Sequence, residues 1–168
     1  MNVFETDRLK LRQMNVDDKE NLMRIFADPI AMEYYPSTYS EEKADQWIQW
    51  NLNNYKEHGC GLWICELKDS GIFVGQCGIV PQLVEGIKEM EIGYLFVREH
   101  WGKGYATEVA IGSKSHGFEK LHFTRLISMI YKPNTPSIRV AERMGMQYEK
   151  TTDRNGRETL IYSITTEC

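Results

Sequence analysis

The residues between Glu91 and Glu108 are the best placed in this chain to grip an anion. They run Glu91-Ile92-Gly93-Tyr94-Leu95-Phe96-Val97, then Arg98-Glu99-His100, then Trp101-Gly102-Lys103-Gly104-Tyr105-Ala106-Thr107-Glu108. The first part reads as a strand, and a helical pattern takes over at Gly104. The first turn of a helix offers N–H groups without carbonyl partners and a partial positive charge, and Gly102 and Gly104 let the backbone curl around an anion. A pyrophosphate suits this geometry. One hydrogen bond to a charged group contributes about 1.5–3 kcal/mol, so three or four amides hold a diphosphate without a basic patch. Such glycines also make plain tight turns, and Lys103 also reads as a solvated loop charge. The chain lacks the G-K-[ST] of a nucleotide P-loop, and Thr107 stands where the dinucleotide fingerprint needs glycine or alanine.

A second segment, Asn134-Thr135-Pro136-Ser137-Ile138-Arg139-Val140-Ala141-Glu142-Arg143-Met144-Gly145-Met146, opens another helix after another strand. Together the two segments resemble the GCN5-related N-acetyltransferase (GNAT) family, whose loop pattern [QR]-x-x-G-x-[GA] aligns with Trp101 to Ala106. Trp101 departs from the first position. That departure, Glu91-Ile92-Gly93-Tyr94, the second segment and the opening Glu5-Thr6-Asp7-Arg8-Leu9 through Arg12 resemble the branch that acetylates N-terminal alanines of ribosomal proteins. The resemblance spans residues 5 to about 165.

The resemblance implies acetyl-CoA as co-substrate. It implies that the backbone of Leu95, Phe96 and Val97 pairs with the pantetheine arm, that residues from Trp101 through Gly102, Lys103, Gly104, Tyr105 and Ala106 to Thr107 cradle the pyrophosphate, and that Asn134 holds the arm. Asn134 before Pro136 also suits a plain turn. Glu91 is the candidate general base, reaching the amine directly or through water, with a surface glutamate at a strand edge as the other reading. Many members place a tyrosine seven residues after this asparagine to protonate the leaving thiolate, but Ala141 stands there. Ser137 matches a serine of the N-terminal acetyltransferase branch, which implies a hydrogen bond to the departing sulfur, with Ser137 or water as the proton source and with helix capping or a phosphate-side cofactor contact as the other readings. Tyr34, Tyr35, Trp47 and Trp50 fall where the family's first helices wall the acceptor side, the tryptophans also reading as core. Glu108 reads as a dipole or tertiary-contact residue.

Direct transfer needs a neutral amine. An α-amine of pKa near 8 is about one-tenth neutral at pH 7, whereas a lysine is neutral in about one molecule in 2,500. A peptide N-terminus therefore needs the weaker base. The expected reaction is a ternary-complex transfer of acetyl to a primary amine, a protein N-terminus or else a polyamine or other small amine. The alternative class is a non-catalytic coenzyme A-binding sensor or structural module. The histidines and Cys60, Cys65 and Cys77 show no nucleophile pairing, so no acyl-enzyme is expected.

The elements that must position these groups follow from hydrophobic periodicity. Arg8 to Arg12 alternates as a strand, and Asn15, Asp17 and Asp18 open a helix with a stripe of Leu22, Ile25 and Phe26. Ser40 caps a second helix with apolar Ala44, Trp47, Ile48, Leu52 and Tyr55, ended by His58-Gly59. Strands follow at Leu62 to Leu67, Ile72 to Val80 and Met90 to Val97 as an antiparallel meander. A helix over 104–120 carries a small-residue face of Ala106, Val109, Ala110, Ser113 and Gly117. Then come a strand at Arg125 to Tyr131, a helix at Ser137 to Met144, and strands around Tyr148 and Leu160 to Ile164, with Asn155-Gly156 as a hairpin turn. The expected fold is α/β (α+β) of the GNAT type, a mostly antiparallel sheet of about seven strands flanked by about four helices.

Composition agrees with one unit. At 168 residues, 42% hydrophobic and 26% charged, the chain fits a single domain over residues 1–168, since about 150 residues bury roughly 70% of their unfolded surface. The net charge of -4 offers no broad positive field to nucleic acid or an anionic membrane. No apolar leader or span of about 20 residues is present, so the expected location is cytoplasmic. The expected partners are the cofactor and an amine acceptor, with a monomer or homodimer as assembly. No Cys-x-x-Cys pair occurs, and His58 beside Cys60 is too sparse for a metal site, so the four cysteines, Cys168 included, read as free thiols.

Overall fold

A computed structural model describes residues 1–166, so Cys168 lies outside the described residues. Among the described residues, eight strands form one sheet. They are β1 (Asn2–Glu5), β2 (Leu9–Gln13), β3 (Leu62–Leu67), β4 (Phe73–Val84), β5 (Ile87–Phe96), β6 (Arg125–Tyr131), β7 (Gln147–Arg154) and β8 (Arg157–Thr165). Four helices accompany them: α1 (Lys19–Phe26), α2 (Glu41–His58), α3 (Tyr105–Glu119) and α4 (Thr135–Arg143). The sheet order is β1-β2-β3-β4-β5-β6-β8-β7.

Eight strands replace the expected seven because β1 pairs with β2. Its four residues are too few to show a period. Tertiary contact holds it, with the Phe4 ring stacked on His116 at 5.2 Å and edge-on to Trp63 at 5.7 Å.

All neighbouring strands are antiparallel except β5 and β6. These two run parallel and pair only at Glu91 and Ile127, whereas β5 pairs with β4 along its whole length. Beyond that point the sheet opens, and Ser128 Oγ donates to Ile92 O at 3.0 Å at the edge of the opening.

Alternation along β5 sends its side chains to two separate cores. Ile92, Tyr94 and Phe96 pack with α3 and α4 residues such as Val109, Ala110, Val140 and Ala141. Leu95 packs on the other face with Ile48 and Ala44 of α2 and Leu22, Ile25 and Phe26 of α1. Glu91 shares the parity of Leu95 and so belongs to the α1–α2 face.

The small-residue face of α3 has the expected consequence. Val109, Ala110, Ser113 and Gly117 are buried, and a Cβ on Gly117 would meet Ile79 Cδ1 at 2.8 Å. The helix therefore lies close against the sheet. Its first turn is tied down by Glu108, whose carboxylate accepts from Thr6 Oγ1 at 2.6 Å, Arg8 N at 3.0 Å and Arg8 Nε at 2.8 Å. Burial alone would raise the Glu108 carboxyl, but these donors outweigh it and hold it below the usual carboxylate range.

Glu108→Ala leaves three donors behind, and urea unfolding at pH 7 should show a loss of about 2 kcal/mol. A depressed pKa stabilises above the unfolded value and is lost as pH falls through the folded one. The gap between parent and variant should therefore narrow below pH 4.5.

Candidate active site

The opening between β5 and β6 is the floor of a cleft of about 1090 Å³. Its walls come from the α1–α2 connection, α2, β4, the loop into α3, α4 and the β7–β8 turn.

Gly104 precedes α3 with φ +80° and ψ 9°, and Gly102 has φ +78°. Glu108 N–H donates to Gly104 O. The amides of Tyr105, Ala106 and Thr107 ahead of it have no helical carbonyl to bind. All three residues line the cleft with Trp101, Gly102 and Gly104. These N–H groups are available to an anion such as a diphosphate. Trp101, the departure from the loop pattern, donates its indole N–H to Phe96 O at 3.0 Å and so pins the loop to β5.

Leu95 and Phe96 line the cleft, but Val97 does not. Val97 is buried in the α1–α2 core, and its N–H donates to Val74 O at 2.9 Å. Lys103 is exposed outside the cleft.

Glu91 is 9% exposed at the point where the sheet divides. Its Oε1 accepts from Gln82 Nε2 and its Oε2 from Met129 N–H, both at 3.0 Å. Burial raises its pKa, and the charge of Arg154 and these two bonds pull it only part of the way back. Each carboxylate oxygen keeps a further lone pair for an incoming proton. Tyr35 lies close enough that Glu91 adds to the rise that burial gives its hydroxyl.

Ser137 sits on the other face. Its Oγ lies 2.8 Å from Tyr94 Oη, and Tyr94 Oη also donates to Ser137 O at 3.0 Å. Asn134 Oδ1 accepts from Ser137 N at 3.2 Å, which caps α4 and brings the helix start to Thr135. Ala141 is fully buried in the core. Tyr94 is the hydroxyl that the sequence reading missed. Its parity with Ile92 was available, but its contact with Ser137, 43 residues on, depends on how β5 and β6 sit side by side.

Trp47, Trp50, Tyr34 and Tyr35 all line the cleft, and Trp47 Nε1 donates to Gln76 Oε1 at 3.0 Å. Also missed were Gln82 and four arginines, Arg139, Arg143, Arg154 and Arg157, all lining the cleft. Cys60, Cys65 and Cys77 are buried free thiols. Burial pushes Cys60 and Cys77 up to about 12, which disfavours a thiolate nucleophile. Among the described residues no cluster of three His, Cys, Asp or Glu side chains is placed to hold a metal, and no helix is long and apolar enough to cross a membrane.

Residues 8–147 match the family described as Acetyltransferase (GNAT) domain. The chain is 43% identical over 158 residues to the uncharacterized protein YkkB of Bacillus subtilis (strain 168), with 94% of this chain and 92% of that protein covered. It is 32% identical over 170 residues to the uncharacterized N-acetyltransferase YoaA of the same strain, with 96% of each covered. Its backbone matches the crystal structure of an acetyltransferase from Agrobacterium tumefaciens str. C58 with a TM-score of 0.86 at 28% identity, covering 99% of this chain and 95% of that one.

Proposed function

Since the chain belongs to the GNAT family of acetyltransferases, enzymes that move acetyl from acetyl-CoA to an amine, we propose that its acceptor is the N-terminal amine of a protein, with a small amine as the close rival. We take residues 1–168 as one domain working in the cytoplasm.

The observation that supports this reading is the division of chemistry across the opened sheet. Glu91 stands on the α1–α2 face and the Tyr94–Ser137 pair on the α3–α4 face. Acetyl-CoA supplies the thioester. The amides of 102–107 would hold its diphosphate, and Leu95, Phe96 and Asn134 would flank its arm. Glu91 takes the proton that the acceptor nitrogen sheds as it bonds to the acetyl carbon. Its raised pKa brings the base nearer to neutral pH, where proton transfer is best matched. The departing sulfur takes a proton from the hydroxyl pair at Ser137, a weak donor because burial raises the Tyr94 hydroxyl, and the pair regains that proton from solvent as the thiol leaves. Tyr94 and Ser137 hold two O–H protons between them, and one O–H can turn to the sulfur while the other keeps the pair together.

A thiol-release assay across N-terminal peptides, spermidine and aminoglycosides tests the acceptor. Turnover on peptides is the expected result, and activity confined to small amines would overturn the peptide preference. A thiol of pKa about 8.5 leaves without a strong acid, so Tyr94→Phe and Ser137→Ala should each lower kcat only about tenfold. Because the two act as a unit, the double variant should be worse by no more than about twofold. Additive losses would separate their roles.

A further inference from the structure

The nine arginines fall into two groups. Arg8, Arg12, Arg24, Arg98 and Arg125 each pair with a carboxylate, and none lines the cleft. Arg139, Arg143, Arg154 and Arg157 all line it, and none has a carboxylate partner among the described residues. Acidic side chains outnumber basic ones 24 to 20 in this chain, so the cleft is kept cationic against the overall balance. The first two sit on α4, whose capped start faces the cofactor side. The other two flank the β7–β8 turn on the acceptor side.

Arg157 is committed. Its Nη1 donates to Tyr34 O at 2.9 Å and its guanidinium lies 3.6 Å over the Tyr131 ring, which fixes the turn against the α1–α2 connection. Arg154 is not. Its contacts are Gln82 Oε1 at 3.5 Å and Met129 Sδ at 3.8 Å, both long. Its charge is nonetheless felt at Glu91, Tyr35 and Tyr39, so it faces the place where the acceptor meets the base. A guanidinium fork is shaped for two parallel bonds to a carboxylate. A polycation in the same place meets two arginines.

We infer that the acceptor carries a carboxylate near its reactive amine, and that Arg154 binds it while Arg157 positions the turn that presents Arg154. The inference rests on the acceptor reading given above. The carboxylate is either an acidic side chain close to a peptide N-terminus or the α-carboxylate of a free amino acid.

The test measures thiol release with C-terminally amidated peptides beginning Ala-Glu, Ala-Gln or Ala-Lys, and with free alanine and glutamate. Ala-Glu should exceed Ala-Lys in kcat/KM by tenfold or more, or else the free amino acids should exceed Ala-Gln by that factor. Arg154→Gln should shrink the preferred ratio to within threefold, whereas Lys132→Gln, which removes the same charge outside the cleft, should leave the ratio in place. Coenzyme A affinity by calorimetry should stay within threefold in Arg154→Gln. Equal turnover of all acceptors, a preference for Ala-Lys, or a large loss of coenzyme A affinity in Arg154→Gln overturns the inference while sparing acetyl transfer. No turnover on any primary amine would instead sink the acceptor reading itself, and this inference with it.

Discussion

Glu91→Gln is expected to lower kcat/KM for peptide acceptors by about 10²–10³-fold, within the range that a positioned general base contributes, with coenzyme A affinity unchanged by calorimetry. The substitution keeps the shape of the site. The new amide oxygen retains the Met129 N–H bond, and Gln82 can turn its own oxygen to the new N–H. What disappears is the proton acceptor. In the parent, kcat/KM should fall as pH drops through the Glu91 pKa, which burial lifts above its ordinary 4.5; that limb should be missing from the variant. Stability should move the other way. A carboxyl with a raised native pKa binds its proton more tightly folded than unfolded, so its contribution is full below 4.5 and is lost as pH rises through the native value. At neutral pH the buried charge is a cost that glutamine removes. The variant should therefore be at least as stable as the parent at pH 7, with the difference shrinking in acid. A variant with near-parent turnover and an unchanged acid limb would take the base role away from Glu91.

The parts legible in the sequence are those written in local spacing. Glycines at 102 and 104 ahead of a helical period marked the cradle, and the small residues 109, 110, 113 and 117 marked the face that α3 buries. Asn155-Gly156 marked the β7–β8 turn, where both residues take positive φ. Glu91 was found by resemblance, and its parity with Leu95 gives its face. The rest depends on long-range geometry. Tyr94 meets Ser137 only because β5 and β6 run side by side, and Arg154 reaches Gln82 from 72 residues away. Val97 and Lys103 show the limit of copying a segment whole. Val97 spends its N–H on Val74 O, although Leu95 of the same parity lines the cleft, and a loop backbone can curl around an anion while the Lys103 side chain stays exposed. The unpaired arginines have no local signature either, because an arginine is unpaired only relative to carboxylates that folding brings near or keeps away.

The cradle makes the second large effect. Gly104→Val is expected to weaken coenzyme A binding by about 30-fold or more, roughly 2 kcal/mol, measured by calorimetry. At φ +80° and ψ 9° Gly104 lies in the left-handed region, which costs an ordinary L-residue about 1–2 kcal/mol and a β-branched one more. The space itself is open, since the nearest atom to a Cβ at this position would be Arg8 Nη2 at 3.5 Å. The penalty is therefore conformational, and the backbone escapes it by turning the following amides away from the anion. Losing one or two charge-assisted bonds accounts for the expected loss. Melting should fall by only a few degrees, because the strain is confined to one residue. Lys103→Ala removes a positive charge from the same loop without constraining its backbone, and should cost less than threefold. The reverse ranking, with Lys103→Ala damaging and Gly104→Val harmless, would mean that side-chain charge rather than main-chain amides holds the diphosphate.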